Sequence, residues 1–187
     1  MSERAASPSP PTQMSARIKE MIRVDHAGEY GAVQIYRGQR AVFDKLPHKE
    51  RLSHMLQDME EEEQKHLDAF DELLAERSAR PTLLAPFWNM AGFALGAGTA
   101  LMGEKAAMAC TSAVEAVIEK HYQEQVDELE GHGEEDLRAT FAEFREDEIS
   151  HHDTAIAEGA EDAPGYSFLK AAITAGCHLA IRVSEKV

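Results

Sequence analysis

Cysteine is scarce in this chain of 187 residues: only Cys110 and Cys177 occur, with no Cys-x-x-Cys pair. That excludes a disulfide framework and a zinc ribbon, and it fits a reducing compartment. Basic residues are also few, 19 Lys and Arg against 34 Asp and Glu, for a formal charge of −15. A phosphate-binding surface needs clustered cations, so nucleic acid is excluded as a partner, and electrostatic attachment to anionic lipid is disfavoured. Residues 1–14, with Ser7-Pro8-Ser9-Pro10-Pro11, lack both the apolar core of a signal peptide and the Arg-rich pattern of a transit peptide. They are expected to form a disordered tail on a cytoplasmic protein. The remainder, 15–187, is expected to be one domain, because a chain of 187 residues with 43% hydrophobic content buries one good core.

Two Glu-x-x-His steps are present, Glu63 to His66 and Glu148 to His151. With 24 glutamates and 9 histidines in the chain, about one such string is expected by chance. The register says more than the strings. Adding 86 to Glu29, Tyr36 and Gln39 reaches Glu115, Tyr122 and Gln125, and adding 85 to Glu63, His66 and Asp68 reaches Glu148, His151 and Asp153. Matched positions at one offset point to a repeated helix hairpin, with halves at about 15–80 and 104–160.

Helical periodicity runs from Met14 to about Leu46, where Pro47 closes the segment, with Ile22, Glu29, Val33 and Tyr36 on one face. A second helix, about His48 to Arg77, carries Leu52, Met55, Leu56, Met59, Glu63, His66, Phe70 and Leu73 at steps of three and four. The third, about Ala106 to Glu130, sets Glu115 and Tyr122 among Met108, Thr111, Ile118 and Val126, and ends at Gly131 and Gly133. The fourth, about Glu134 to Glu158, sets Glu148 and His151 among Leu137, Phe141, Phe144 and Ala155. The lone glutamates and both Glu-x-x-His steps thus interrupt apolar stripes. A carboxylate facing a core is costly unless it is paired or binds a cation. Glu60, Glu61 and Glu62, by contrast, read as a solvated helix face.

Residues 81–103 carry no charge and join the two halves. They are long enough to span a bilayer, yet Pro86 and glycines 92, 96 and 98 dilute them. A crossover that is buried, or that lies in the plane of a membrane, is favoured over a span. Residues 166–187, uncharged from Ala171 to Ile181, read as a further apolar helix.

Residues three apart in a helix share a face, so each Glu-x-x-His turn presents a carboxylate and an imidazole to one ion. Glu29, Glu63, His66, Glu115, Glu148 and His151 make a set of four carboxylates and two imidazoles, which suits two hard, redox-active ions better than one tetrahedral zinc. Iron is favoured, with manganese as the other fit. Two adjacent ferrous ions make an oxygen-activating centre without an organic cofactor. Tyr36 and Tyr122, two turns beyond the lone glutamates, read equally as donors or redox groups beside the ligands and as core tyrosines. His121 is a candidate for a proton or electron path beside Tyr122. Asp68 and Asp153 point off the ligand face, and His26, His48, His54, His132, His152 and His178 lack the paired spacing.

The segments RVDHAGEYGA (23–32), KHLDAF (65–70), WNMAGFALGAGTALMG (88–103), ACTSAVEAVIEKHY (109–122), HHDTA (151–155) and AGCHLAI (175–181) together resemble the 5-demethoxyubiquinone hydroxylases of ubiquinone biosynthesis. The resemblance is to the ferritin-like di-iron type and runs from about Arg17 to the C-terminus. It implies an all-α, ferritin-like four-helix bundle made of two repeated hairpins, an apolar crossover and an extra C-terminal helix. It implies that the six residues named above bind two Fe ions. It further implies O2-dependent hydroxylation of a polyprenyl benzoquinol by a protein peripheral to the membrane, touching lipid through about 83–103, with 166–187 as a second candidate contact. The absence of a transit peptide suggests the cytoplasmic face of a bacterial inner membrane. A homo-oligomer or a complex of ubiquinone-biosynthesis proteins is left open. The competing reading is a ferritin- or rubrerythrin-like protein that handles iron or reduces peroxide.

Overall fold

A computed structural model describes residues 11–187, and the side chains from residue 14 onward. The described residues form six α-helices and no strand: α1 (Pro11–Phe43), α2 (Glu50–Glu76), α3 (Ala85–Leu101), α4 (Glu104–Leu129), α5 (Glu135–Ala157) and α6 (Tyr166–Ser184). Helix α1 thus begins inside the stretch expected to be a tail. Residues 1–10, the rest of that expected tail, lie outside the described residues. The chain leaves α4 through Gly131 and Gly133, both in the left-handed region at φ 74° and 78°, as the sequence suggested.

Helix α1 packs on α2 and α4 packs on α5, while α3 lies along α1 and α6 along α4. The first four are the bundle, and two apolar clusters fill it. One gathers Ile22, Phe70, Tyr122, Leu137, Phe141 and Phe144. The other gathers Tyr36, Phe43, Leu56, Met59, Met108 and Ala155. Along every bundle helix the candidate ligands fall between these two clusters. The polar space is thereby closed at both ends by close-packed side chains, which exclude water.

The crossover is a helix of 17 residues, and none among the described residues is long and apolar enough to cross a membrane. Glycine lets α3 approach α1 closely: a Cβ at Gly92 would lie 2.7 Å from the carbonyl oxygen of Gly31, and one at Gly96 would overlap that of Ile35. Helix α3 therefore buries Gly92, Gly96, Thr99 and Ala100 and turns Phe87, Met90 and Phe93 outward. Ion pairs stitch the bundle helices together at the surface, among them Arg40 and Arg37 on Glu60, and Arg51 on Glu158.

Candidate metal centre

All six proposed ligands are buried, none more than 2% exposed. They form two overlapping groups: Glu29, Glu63, His66 and Glu148, and Glu63, Glu115, Glu148 and His151, with one donor atom from each residue within 4.8 Å of the others. Glu63 and Glu148 belong to both groups, so a bridging role between two ions would fall to them. Glu29 and His66 serve one side, and Glu115 and His151 the other. Glu29 and Glu115 sit on α1 and α4, the Glu-x-x-His steps on α2 and α5, and the four helices converge on one point.

The atoms facing that point are those that protein groups leave without a hydrogen bond. They are Glu29 Oε2, Glu115 Oε2, both oxygens of Glu63 and of Glu148, and Nδ1 of His66 and His151. Nδ1 of His66 lies 3.6 Å from Glu29 Oε2 and from Glu148 Oε1, and Nδ1 of His151 lies 3.0 Å from Glu63 Oε1. Buried polar atoms without partners are costly. Eight of them around one space is the arrangement that cations satisfy, and an all-oxygen and imidazole donor set suits iron or manganese.

Groups behind the ligands hold them in place. Nε2 of His66 bonds Asp147 at 3.1 Å, and Nε2 of His151 bonds Glu62 at 2.7 Å. A carboxylate on Nε2 keeps the proton there and leaves the Nδ1 lone pair for a metal. Phe144 stacks on His66 with ring centroids 4.0 Å apart, fixing the ring plane. Glu62 is therefore not part of a merely solvated face, as the run Glu60 to Glu62 suggested. It and Asp147 were missed, although they stand 85 residues apart like the ligands beside them.

The two readings of the tyrosines meet: both are core residues, and both phenols donate to a lone glutamate. Tyr36 Oη donates to Glu115 Oε1 at 2.6 Å, and Tyr122 Oη donates to Glu29 Oε1. Each phenol thus reaches the lone glutamate of the opposite half. The same crossing recurs one layer out, where Gln39 donates to Thr111 Oγ1 at 3.2 Å and Gln125 donates to Asp25 Oδ1 at 2.9 Å. His121 does not join the cluster; its Nε2 lies 3.2 Å from Asp25 Oδ1. Asp68 accepts from Gln64 at 2.8 Å on the surface, and Asp153 is likewise exposed.

Without a cation the cluster holds protons. Burial raises Glu29 to about 8, opposed by the nearby imidazole of His66, and raises Glu115 to about 7, helped by the charge of Glu63. Burial and the charges of Glu63 and Glu115 push Glu148 well up. Burial also acts to raise Glu63, but the close approach of the imidazoles of His151 and His66 outweighs it and holds Glu63 low. Burial would lower His151, yet the Glu63 carboxylate beside it raises it to about 9, and His66 is raised for the same kind of reason.

Beside the cluster, α1, α3, α4 and α6 enclose an apolar cavity of about 460 Å³, lined by Gly28, Gly31, Trp88, Val114, Ile173 and Cys177 among others. Its walls share α1 and α4 with the lone glutamates, Gly28 preceding Glu29 and Val114 preceding Glu115.

An all-helical bundle with four buried carboxylates and two imidazoles around one space is a ferritin-like protein with a site that could hold metal. Residues 16–184 match the family model "Ubiquinone biosynthesis protein COQ7", and the chain belongs to that family. It is 52% identical over 180 residues to the 3-demethoxyubiquinol 3-hydroxylase of Rhodospirillum rubrum, covering 96% of this chain and 81% of that one. It is 46% identical over 175 residues to the mitochondrial NADPH-dependent 3-demethoxyubiquinone 3-hydroxylase of Homo sapiens, covering 92% and 79%. Identity to the mitochondrial 5-demethoxyubiquinone hydroxylase of Saccharomyces cerevisiae is 39% over 188 residues, covering 92% and 79%.

Proposed function

We propose that this protein is the di-iron monooxygenase that hydroxylates 5-demethoxyubiquinol, a 2-methoxy-6-polyprenyl-benzoquinol, to 3-demethylubiquinol with dioxygen. It is an oxidoreductase of ubiquinone biosynthesis, like its named relatives. Two iron ions, held by Glu29, Glu63, His66, Glu115, Glu148 and His151, would supply the electrons and the activation of dioxygen. The observation that carries the reading is the pairing of eight unsatisfied ligand atoms with an apolar cavity that shares their helices.

The chain's own groups do the rest. Tyr36 and Tyr122 orient Glu115 and Glu29, so that each lone glutamate keeps one oxygen free for a metal. Asp147 and Glu62 hold the histidine protons on Nε2. The two apolar clusters exclude water, which protects a reactive centre from side reactions. Burial raises Tyr122 far above an ordinary phenol, so it stays protonated, a hydrogen-bond donor rather than a charge. His121, which precedes Tyr122 in the chain and is joined to Asp25, is on this reading a group that passes protons or electrons.

The cavity accepts a polyprenyl quinol whose tail stays in a bilayer. Leu83, Phe87, Met90, Phe93, Leu101 and Met102 around α3, with Phe168 and Leu179 on α6, are exposed, and these two helices also wall the cavity. Peripheral attachment through this face, on the cytoplasmic side of a bacterial inner membrane, brings the cavity to its substrate.

Quinone extraction from cells lacking the protein tests the function: the demethoxy precursor accumulates, whereas unchanged quinones would reject it. Rapid ferrous oxidation with mineral storage by the detergent-free protein would favour iron handling instead. Glu148→Ala and His151→Ala abolish iron loading and activity; a variant retaining both removes that residue from the ligand set.

A further inference from the structure

Six of the seven glycines inside the helices fall into two groups, and Gly98 belongs to neither. Gly38, Gly92 and Gly96 lie at the crossing of α1 and α3, where an added Cβ would collide with the partner backbone. Gly28, Gly31 and Gly176 are different. Each is interior to a helix, each lines the apolar cavity, and a Cβ added at any of them would meet no heavy atom within 4 Å. None has a positive φ, so the backbone does not require glycine either. An interior helical glycine weakens its helix relative to alanine. Three such positions on one cavity, with nothing in the fold to demand them, imply that the space beside them is used by something else.

Resting on the quinol reading above, we propose that Gly28, Gly31 and Gly176 are specificity-determining residues that keep the cavity wall bare for the substrate. Gly28 and Gly31 are three residues apart on α1, about 4.5 Å along the axis, and leave one turn without a side chain, its edge at the Gly31 carbonyl meeting Gly92 of α3. That strip carries no side chain and flanks Glu29 in the chain, and on this proposal it receives the quinol ring, whose reacting carbon must approach the metal ligands. Gly176 is on the exposed side of α6 with Ala172 and Ala180, in the same wall as Cys177. It borders the isoprenoid tail as the tail leaves for the bilayer. A methyl at each position would fit the free protein and compete with the part of the substrate it faces.

Trp88 is the chain's single tryptophan and lines the same cavity, its Nε1 donating to Ser184 Oγ at 3.2 Å. Quinones quench indole fluorescence, so binding is read without iron or turnover. The iron-free protein in detergent micelles is titrated with tail-less 2,3-dimethoxy-5-methyl-1,4-benzoquinone and with its decyl-bearing analogue. Gly28→Ala and Gly31→Ala weaken both probes about tenfold, the scale on which a hydrophobic pocket senses one carbon. Gly176→Ala weakens the decyl probe and leaves the tail-less one unchanged. Gly98→Ala, an open helical glycine outside the cavity lining, binds both as wild type does. All four variants melt at or above the wild-type temperature. Wild-type affinities in the three cavity variants overturn the proposal, as does a lowered melting temperature, which would show that the fold itself needs those glycines. Failure of the unmodified protein to bind either probe is a separate result, and it rejects the quinol reading on which the proposal rests.

Discussion

Tyr36, on α1, donates its phenol proton across the bundle to Glu115 on α4 at 2.6 Å. The bond lies between the two halves of the chain and is matched by Tyr122 on Glu29, so each half secures the lone carboxylate of the other. That crossing follows from α1 and α4 meeting at the site with each tyrosine seven residues past its own glutamate.

Replacing Tyr36 or Tyr122 with Phe leaves Glu115 or Glu29 with one buried oxygen short of a donor. The carboxyl then takes a proton more readily and competes less well as a ligand. We expect metal affinity to fall about tenfold or more, as is usual when a ligand loses its outer partner. Metal titration of the two variants checks this, and unchanged affinity would assign the tyrosines to packing alone.

Glu62→Ala and Asp147→Ala remove the anchors of His151 and His66. Each is expected to weaken one side of the site about 10- to 100-fold, so that limiting iron loads one ion per chain instead of two. Glu62→Gln and Asp147→Asn keep an acceptor and lose less. Iron content after gel filtration distinguishes these outcomes from a surface role, under which all four variants would bind two ions.

The metal-free protein loses stability as pH rises from 6 to above 8. Glu29 at about 8, Glu115 at about 7 and the upward-shifted Glu148 bind protons in the fold that they release when unfolded, as His151 at about 9 and the raised His66 also do. A folded-state pKa above the unfolded value gives stability that is lost as pH climbs through the folded value, and all five groups act in this direction. Glu63, held low, is ionised in both states across this window and contributes no slope. Metal binding expels the protons, so the loaded protein shows the opposite trend. Thermal melts at pH 6, 7 and 8, with chelator and with saturating metal, measure both slopes.

Gly96→Ala forces a methyl into the carbonyl of Ile35. Overpacking at a contact between two backbones costs about 1–3 kcal/mol, and for a chain of this size each kcal/mol lowers the melting temperature by about 2–4 °C. A melt equal to wild type would mean that α3 lies farther from α1 than the structure has it.

Attachment to lipid is expected to be apolar. The triple change Phe87→Ser, Met90→Ser and Phe93→Ser should abolish flotation with neutral phosphatidylcholine vesicles, while wild-type binding should persist at high salt. With a charge of −15, anionic lipid should add nothing. Binding that needs anionic vesicles and vanishes in salt would place the contact elsewhere.

Much of this molecule was legible in one dimension because helices repeat every 3.6 residues. A ligand that interrupts an apolar stripe, such as Glu63 between Met59 and Phe70, betrays its inward direction from spacing alone. The helix bounds and the six convergent residues were therefore readable. Glu62 was not, since a residue one step off the ligand face looks like any solvated acid; only the position of His151 on a different helix shows what it touches. Tyr36 and Tyr122 stood between two readings for the same reason.

The sequence by itself determined which residues turn inward and that they come in two sets, because local periodicity and chemical type are properties of the chain. The tertiary structure alone decided who meets whom: Tyr36 with Glu115, Glu62 with His151, and the approach of α3 to α1 through Gly92 and Gly96. It also separated glycines that the fold needs from those that line a cavity. These are relations between helices brought together by packing, and no spacing along one helix encodes the distance to another.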